Sequence, residues 1–259
     1  MPLFRHATGY GRGGLKQRTS IDPRRIMLKD HLKDGAVIAS SSMPRNWLEG
    51  YGVGDLGNSD YGCCAYAGPA HFINTIRMRC KHGDIITREM VLREYAKWTG
   101  FDPSLPATDN GAYLLDVMKQ WASEDGLFGT RIVGFAEVSG DNDDEFAFAC
   151  STLGGVIGAY GLPTSAQGEH SVWGITEGLD NAPWSWGGHC MTALDTSPGR
   201  DAFVTWGFRQ SATNAWRKKY YSEGYVALLE EMRGIMFDSP SSGLNFDGMF
   251  NAIEQVRKM

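Results

Sequence analysis

The chain has 259 residues, 42% hydrophobic and 21% charged, a globular composition sufficient for one large domain or two lobes. Its net charge of −5 is uneven: residues 1–33 carry +6, which leaves −11 on the rest, and so acidic a body argues against a general nucleic-acid-binding surface. Five cysteines (Cys63, Cys64, Cys80, Cys150, Cys190) in no CxxC or zinc spacing, behind an N-terminus with no apolar leader-like run, point to a reducing, cytoplasmic setting without a metal or other cofactor.

Residues 1–45 hold scattered basic side chains, a glycine-rich turn over Gly9–Gly14 and one short apolar run, Ala36–Ala39. They are expected to form an extended arm, ordered only where it lies on the body or on a partner. A glycine-punctuated loop, Leu56–Gly62, then runs into a helical pattern from Cys64 to about Lys81. Pro69 is awkward inside it and suggests a late start or a kink. His71, two turns after Cys64, reads as a core histidine. Thr87 is placed to cap a helix reaching Trp98. A turn at Thr108–Gly111 precedes another helix, Ala112–Ala122.

Arg131–Val138 alternates like a strand, and the acidic run Asp141–Glu145 opens a helix to about Ser151. A helix start is preferred there to a metal site. Phe146–Gly168 is 23 residues without a charge, but five glycines and Pro163 argue against a membrane span. A helix end, a break at Gly154–Gly155 and a strand Val156–Tyr160 fit better. Further strands are expected at Trp173–Thr176, Trp184–Leu194 and Ala202–Trp206, joined by turns such as Ser197–Arg200. The chain ends in a linker, Ser239–Gly243, and a short amphipathic helix, Phe246–Arg257. Helices lead and strands follow, which is an α+β arrangement with an antiparallel sheet or barrel in the second half.

Asn58-x-x-x-Gly62-x-Cys64-Ala65-Tyr66 resembles the papain-like cysteine peptidases, in which an oxyanion-hole amide stands six residues before the nucleophile and a glycine two before it. Gly187-Gly188-His189, 125 positions on, is similar to the family's histidine segment. Phe203–Gly207 looks like its strand carrying the third catalytic residue and a shielding Trp-Gly, and Ser222–Leu228 like its closing strand. The resemblance spans roughly residues 50–230. It implies a two-lobed fold, a helical N-terminal lobe facing a β-sheet or barrel, as a domain over 46–235 between an arm (1–45) and a linker with C-terminal helix (236–259). It also implies Cys64 as nucleophile and His189 as base, with Asn58 in the oxyanion hole. Asn110 and Gly111 would pair with substrate, and Gly188 and Trp206 would border the cleft.

Two positions depart from the family. Val204 stands where the family has its asparagine, and valine accepts no hydrogen bond. Thr205 is the nearest substitute, followed by Gln210 and Asn214. The arm is shorter than an inhibitory prosegment, so autoinhibition of that kind is not expected. The first functional reading is a thiol hydrolase acting on peptide or amide bonds. The alternative is an inactive scaffold of the same fold, for example a bacteriophage virion component that docks onto protein neighbours through its arm and C-terminal helix.

Overall fold

Helix α1, Cys64–Cys80, starts directly at Cys64 and carries Pro69 in its second turn. The proline has no N–H for the Ala65 carbonyl, yet the helix neither starts late nor stops there. The computed structural model describes residues 14–22, 25–32, 52, 54–80, 83–167, 172–178, 181–229 and 251. The linker and C-terminal helix expected beyond residue 236 lie outside the described residues apart from 251, as does the arm apart from 14–22 and 25–32. Among the described residues no helix is long and apolar enough to cross a membrane.

Two more helices join α1 in the first half. Helix α2, Arg88–Thr99, is capped by Thr87, whose side chain accepts from the Met90 N–H, and ends at Gly100 in the left-handed region. Such a cap contributes about 1 kcal/mol. Helix α3, Leu114–Ala122, buries Leu114, Val117, Met118 and Trp121 on one face. Trp121 meets Phe72 of α1 edge to face, and Tyr66 of α1 packs on Tyr95 of α2. The apolar positions three and four apart in the sequence are thus the seam of a helical lobe.

The second half is a seven-stranded sheet in the order β1-β7-β2-β4-β5-β6-β3. Its strands are β1 (Ile132–Glu137), β2 (Val156–Leu162), β3 (Val172–Trp173), β4 (Gly187–Ser197), β5 (Arg200–Thr205), β6 (Phe208–Thr213) and β7 (Tyr221–Leu229). The neighbours pair antiparallel except β3 and β6, which run parallel at one edge. The sheet does not close, so the barrel option is corrected to an open sheet. Helix α4, Asp143–Thr152, lies between β1 and β2 in sequence and is capped by Asn142, which accepts from the Asp144 and Glu145 N–H groups. The charge-free stretch after it is the fully buried β2, shielded on both faces and therefore apolar throughout. The strand expected at 173–176 shrinks to the two residues of β3.

Strand β6 and helix α5, Asn214–Tyr220, were not foreseen. Phe208–Thr213 mixes polar side chains into its inward positions, and a seven-residue helix is too short to show a period. Trp216 of α5 nevertheless stacks with Tyr160 and Trp173, completing the core of the sheet lobe.

The two lobes meet where α1 crosses β4. A Cβ on Gly68 would stand 2.7 Å from Cys190 Sγ, so glycine is what allows this close approach. The Thr192 hydroxyl then donates to the Gly68 carbonyl at 2.8 Å. That contact brings the N-terminus of α1 against the start of β4.

Candidate functional site

The loop before α1 is pinned from outside. Both oxygens of Asp109 accept from the Gly62 N–H at 3.0 Å, and Tyr95 donates to the same carboxylate at 2.7 Å. The Tyr95 hydroxyl in turn accepts from the Gly111 N–H at 2.8 Å. Asp109 and Tyr95 therefore tie the Cys64 loop to the 109–112 turn, a bond across 47 positions that no local pattern announces. Asn58 is buried in the Leu56–Asp60 turn ahead of Cys64. The cysteine doublet divides as its geometry requires. Cys63 Sγ turns back toward the Leu56 carbonyl, while Cys64 occupies the first position of α1, where the helix dipole favours an anion.

His189 sits in β4 opposite Tyr160 of β2. Its Nε2 shares a hydrogen bond with Thr205 Oγ1 at 2.5 Å. With the proton on Nε2, Nδ1 is left as the acceptor. The indole of Trp206 lies on the imidazole, centroids 4.0 Å apart and planes 15° from parallel. Trp206 and Gly207, with φ of 44° and 82°, form the tight hairpin between β5 and β6 that holds the indole there. Val204 is buried in the core and offers nothing to the ring. Neighbouring residues on a strand face opposite ways, so the acceptor for His189 has to be at 205 once 204 is an inward apolar position. Gln210 instead donates to the Ser211 carbonyl, and Asn214 opens α5.

The backbone N–H groups of Cys190, one residue past His189, and of Ala65 and Cys64 favour the Cys64 anion. Burial outweighs them. It raises the Cys64 thiol to about 12, with Asp109 adding in the same direction, and lowers His189 to about 3. With the arm in place both groups are driven to their neutral forms.

What covers it is the chain's own arm. Gly14 is seated on Cys64, where a Cβ would be 2.8 Å from the sulfur. A Cβ on Gly188 would come within 2.4 Å of the Leu15 carbonyl oxygen. The Ala112 N–H donates to the Gly14 carbonyl at 3.2 Å and the Lys16 N–H to the Ala112 carbonyl at 2.9 Å, a parallel bridge. Residues 14–16 of the arm thus lie over the sulfur and the start of β4.

The cover predicts a pH dependence. With the arm seated, burial lowers the His189 imidazole to about 3. A state in which water reaches the ring binds a proton that the covered state refuses, so acid favours uncovering and the arm is held better at pH 7 than at pH 5. Hydrogen exchange at the Lys16 and Ala112 amides, corrected for its intrinsic pH dependence, would show this as lost protection, and constant protection would refute it.

The structure thus brings His189, Thr205 and Trp206 into contact and lays the arm over both Cys64 and Gly188. Asn110 is exposed and its side chain donates to the Ala107 carbonyl, while the Gly111 N–H donates to Tyr95. The main chain that pairs with an extended segment is Ala112, one residue later. His71 is buried in α1, its imidazole lowered to about 3 by that burial. Among the described residues no group of three or more His, Cys, Asp or Glu is placed to hold a metal ion.

No protein-family model matches the sequence, and no curated protein matches it. Solved structures do. Xylellain, a cysteine protease from Xylella fastidiosa, superposes with a TM-score of 0.62 at 15% identity, over 84% of this chain and 96% of that one. Digestive procathepsin L2 proteinase from the larval midgut of Tenebrio molitor gives a TM-score of 0.53 at 12% identity, over 85% of this chain and 79% of that one. At such identities the likeness is one of fold.

Proposed function

The chain has the fold of the papain-like cysteine peptidases, and from that premise we propose that it is a thiol hydrolase that cleaves peptide or amide bonds through Cys64 and His189. One observation carries this reading: the imidazole held by Thr205 and Trp206 stands on β4 directly before Cys190, whose backbone N–H favours the Cys64 anion. Both similar solved structures are proteinases by name.

The chemistry follows from these positions once the arm is off the sulfur. His189 Nδ1 takes the Cys64 proton, and the thiolate at the helix N-terminus attacks the acyl carbon. The Asn58 amide and the Cys64 N–H receive the developing oxyanion. The imidazolium gives its proton to the leaving amine, the C–N bond breaks, and water, activated by the neutral imidazole, releases the acid and restores the thiol. Thr205 keeps the ring in one tautomer and orientation. Trp206 covers one face of it and keeps water from the Thr205 hydrogen bond.

The test is cleavage of a mixed peptide library, read by mass spectrometry, with the wild-type chain, the Gly14→Ala chain and a Cys64→Ala control. Products that appear with either of the first two and vanish in the control are expected. If neither chain yields a Cys64-dependent product, the hydrolase reading is lost.

A further inference from the structure

Asp109 follows a single 3₁₀ turn, Pro106–Thr108, and its N–H donates to the Pro106 carbonyl at 3.2 Å. Its side chain leaves that turn for another part of the molecule. Oδ1 and Oδ2 both lie 3.0 Å from the nitrogen of Gly62, two residues before Cys64, and Oδ1 also accepts from the Tyr95 hydroxyl at 2.7 Å. The hydroxyl is itself held, because it accepts from the Gly111 N–H at 2.8 Å. The Tyr95 ring is buried and stacks on Phe101 with centroids 4.7 Å apart. Phe101 in turn meets Tyr61, the residue before Gly62, edge to face at 4.9 Å. A Cβ on Gly62 would stand 2.8 Å from Asp109 Oδ1, so glycine is what lets the carboxylate come up to the main chain there.

We propose that Asp109 is a positioning residue for the Cys64 reaction: through the Gly62 N–H it fixes the sulfur-bearing loop against the main chain of Ala112, the edge on which an extended chain pairs. The inference deepens the hydrolase reading and rests on it. Its physical basis is that one short turn carries both the anchor of the nucleophile loop and the edge that aligns a backbone. The Ala112 N–H and carbonyl already hold an extended segment as a parallel bridge. A peptide laid on that edge presents its acyl carbon to the sulfur only if the loop stands at the right height over it. A misplacement of about 1 Å is worth up to about 10²-fold in rate.

The sign of the charge argues the same way. Burial is the main cause that raises the Cys63 and Cys64 thiols, and the Asp109 carboxylate adds to it in both. Electrostatically it therefore works against the thiolate on which the reaction depends. It works for the reaction only through its hydrogen bonds, which are stronger to a carboxylate than to a neutral acceptor. Geometry and charge thus pull in opposite directions at one side chain, and substitution separates them.

The experiment places Asp109→Ala and Asp109→Asn in the full-length chain, wild type or Gly14→Ala, whichever cleaves. Asp109→Ala is expected to lower kcat by about 10²-fold with little change in KM, because the loop shifts while the Ala112 edge stays. Asn keeps one oxygen able to accept from both Gly62 and Tyr95, as Oδ1 does, so Asp109→Asn recovers kcat to within about tenfold of its parent chain. With the charge gone, the acid limb of its pH–rate profile moves to lower pH. Amide exchange at Gly62, read by mass spectrometry, needs no turnover; it accelerates in Asp109→Ala and not in Asp109→Asn. An unreduced kcat in Asp109→Ala, an Asn variant no better than Ala, or unchanged Gly62 exchange in Asp109→Ala overturns the proposal. Should Asp109→Ala fail to fold, Tyr95→Phe keeps the ring but takes the hydroxyl from Asp109 and Gly111, with a loss of about tenfold in kcat expected. An unreduced kcat in that chain overturns the proposal equally. The two readings fail separately. Faster Gly62 exchange in Asp109→Ala without a Cys64-dependent product from any chain keeps the tether and sinks the hydrolase, whereas full-rate cleavage by Asp109→Ala does the reverse.

Discussion

His189→Ala is expected to lower Cys64-dependent peptide cleavage by about 10³-fold, the scale of a positioned general acid–base group. The ring serves twice in each turnover, first taking the thiol proton and later giving it to the leaving amine. Thr205→Val tests how the ring is held. Valine matches threonine in shape but cannot bond Nε2, so the imidazole is free to tilt and to carry its proton on the wrong nitrogen. A misplacement of about 1 Å is worth up to about 10²-fold, and a fall of that order is expected in kcat with little change in KM. A merely structural role for Thr205 would change both through lost stability, and it would not be rescued by Thr205→Ser, which restores the hydroxyl. Wild-type cleavage by His189→Ala would remove the imidazole from the mechanism.

Much of this site was legible because its determinants are local. The Asn58, Gly62 and Cys64 spacing picks one sulfur of a doublet, and Cys63 is the one that turns back toward the Leu56 carbonyl. The helices with a cap residue and an apolar stripe, α2 and α3, were found within two residues of their ends. Strands β2 and β4 were found because burial on both faces makes them apolar runs. The third group was legible only as a choice among Thr205, Gln210 and Asn214. Deciding it needs the facing of side chains on β5, which follows from the register with β4 and β6 and not from spacing.

What stayed hidden is long in sequence and short in space. The Asp109–Gly62 bond, the Arg18–Glu223 ion pair and the Ala112 pairing join residues whose own neighbourhoods look unremarkable. Arg18 is one of eight basic residues in a segment that reads as a solvated arm, and only the folded sheet supplies the buried carboxylate that sets it apart. Main-chain pairing at Ala112 leaves no trace in side-chain identity at all. The same holds for α5, whose seven residues are helical because Trp216 has an aromatic socket to fill and Thr213 caps the first turn.

Arg217→Ala is expected to destabilise the chain by about 3–5 kcal/mol, the range for breaking a buried ion pair by removing one partner. Arg217, on α5, and Asp201, on β5, are both fully buried, and the Arg217 Nε donates to Asp201 Oδ2 at 2.8 Å. The two remaining guanidinium nitrogens bond the Gly140 carbonyl and Asp143, and the group lies 4.2 Å from the centre of the Phe146 ring. One side chain thereby fastens α5, the start of β5 and the start of α4. Alanine leaves Asp201 with the Thr196 hydroxyl alone, in a place where burial already penalises its charge. The damage reaches the site along the strand, because β5 runs from Arg200 to Thr205 and its far end carries the His189 partner and the Trp206 turn. Urea unfolding of Arg217→Ala and of Arg217→Met/Asp201→Leu separates charge from packing. The double variant removes both ions and fills the space, and it is expected to regain most of the loss. A single-variant loss below about 1 kcal/mol, the level of a surface pair, would mean that water reaches Asp201 and that the fastening of β5 lies elsewhere.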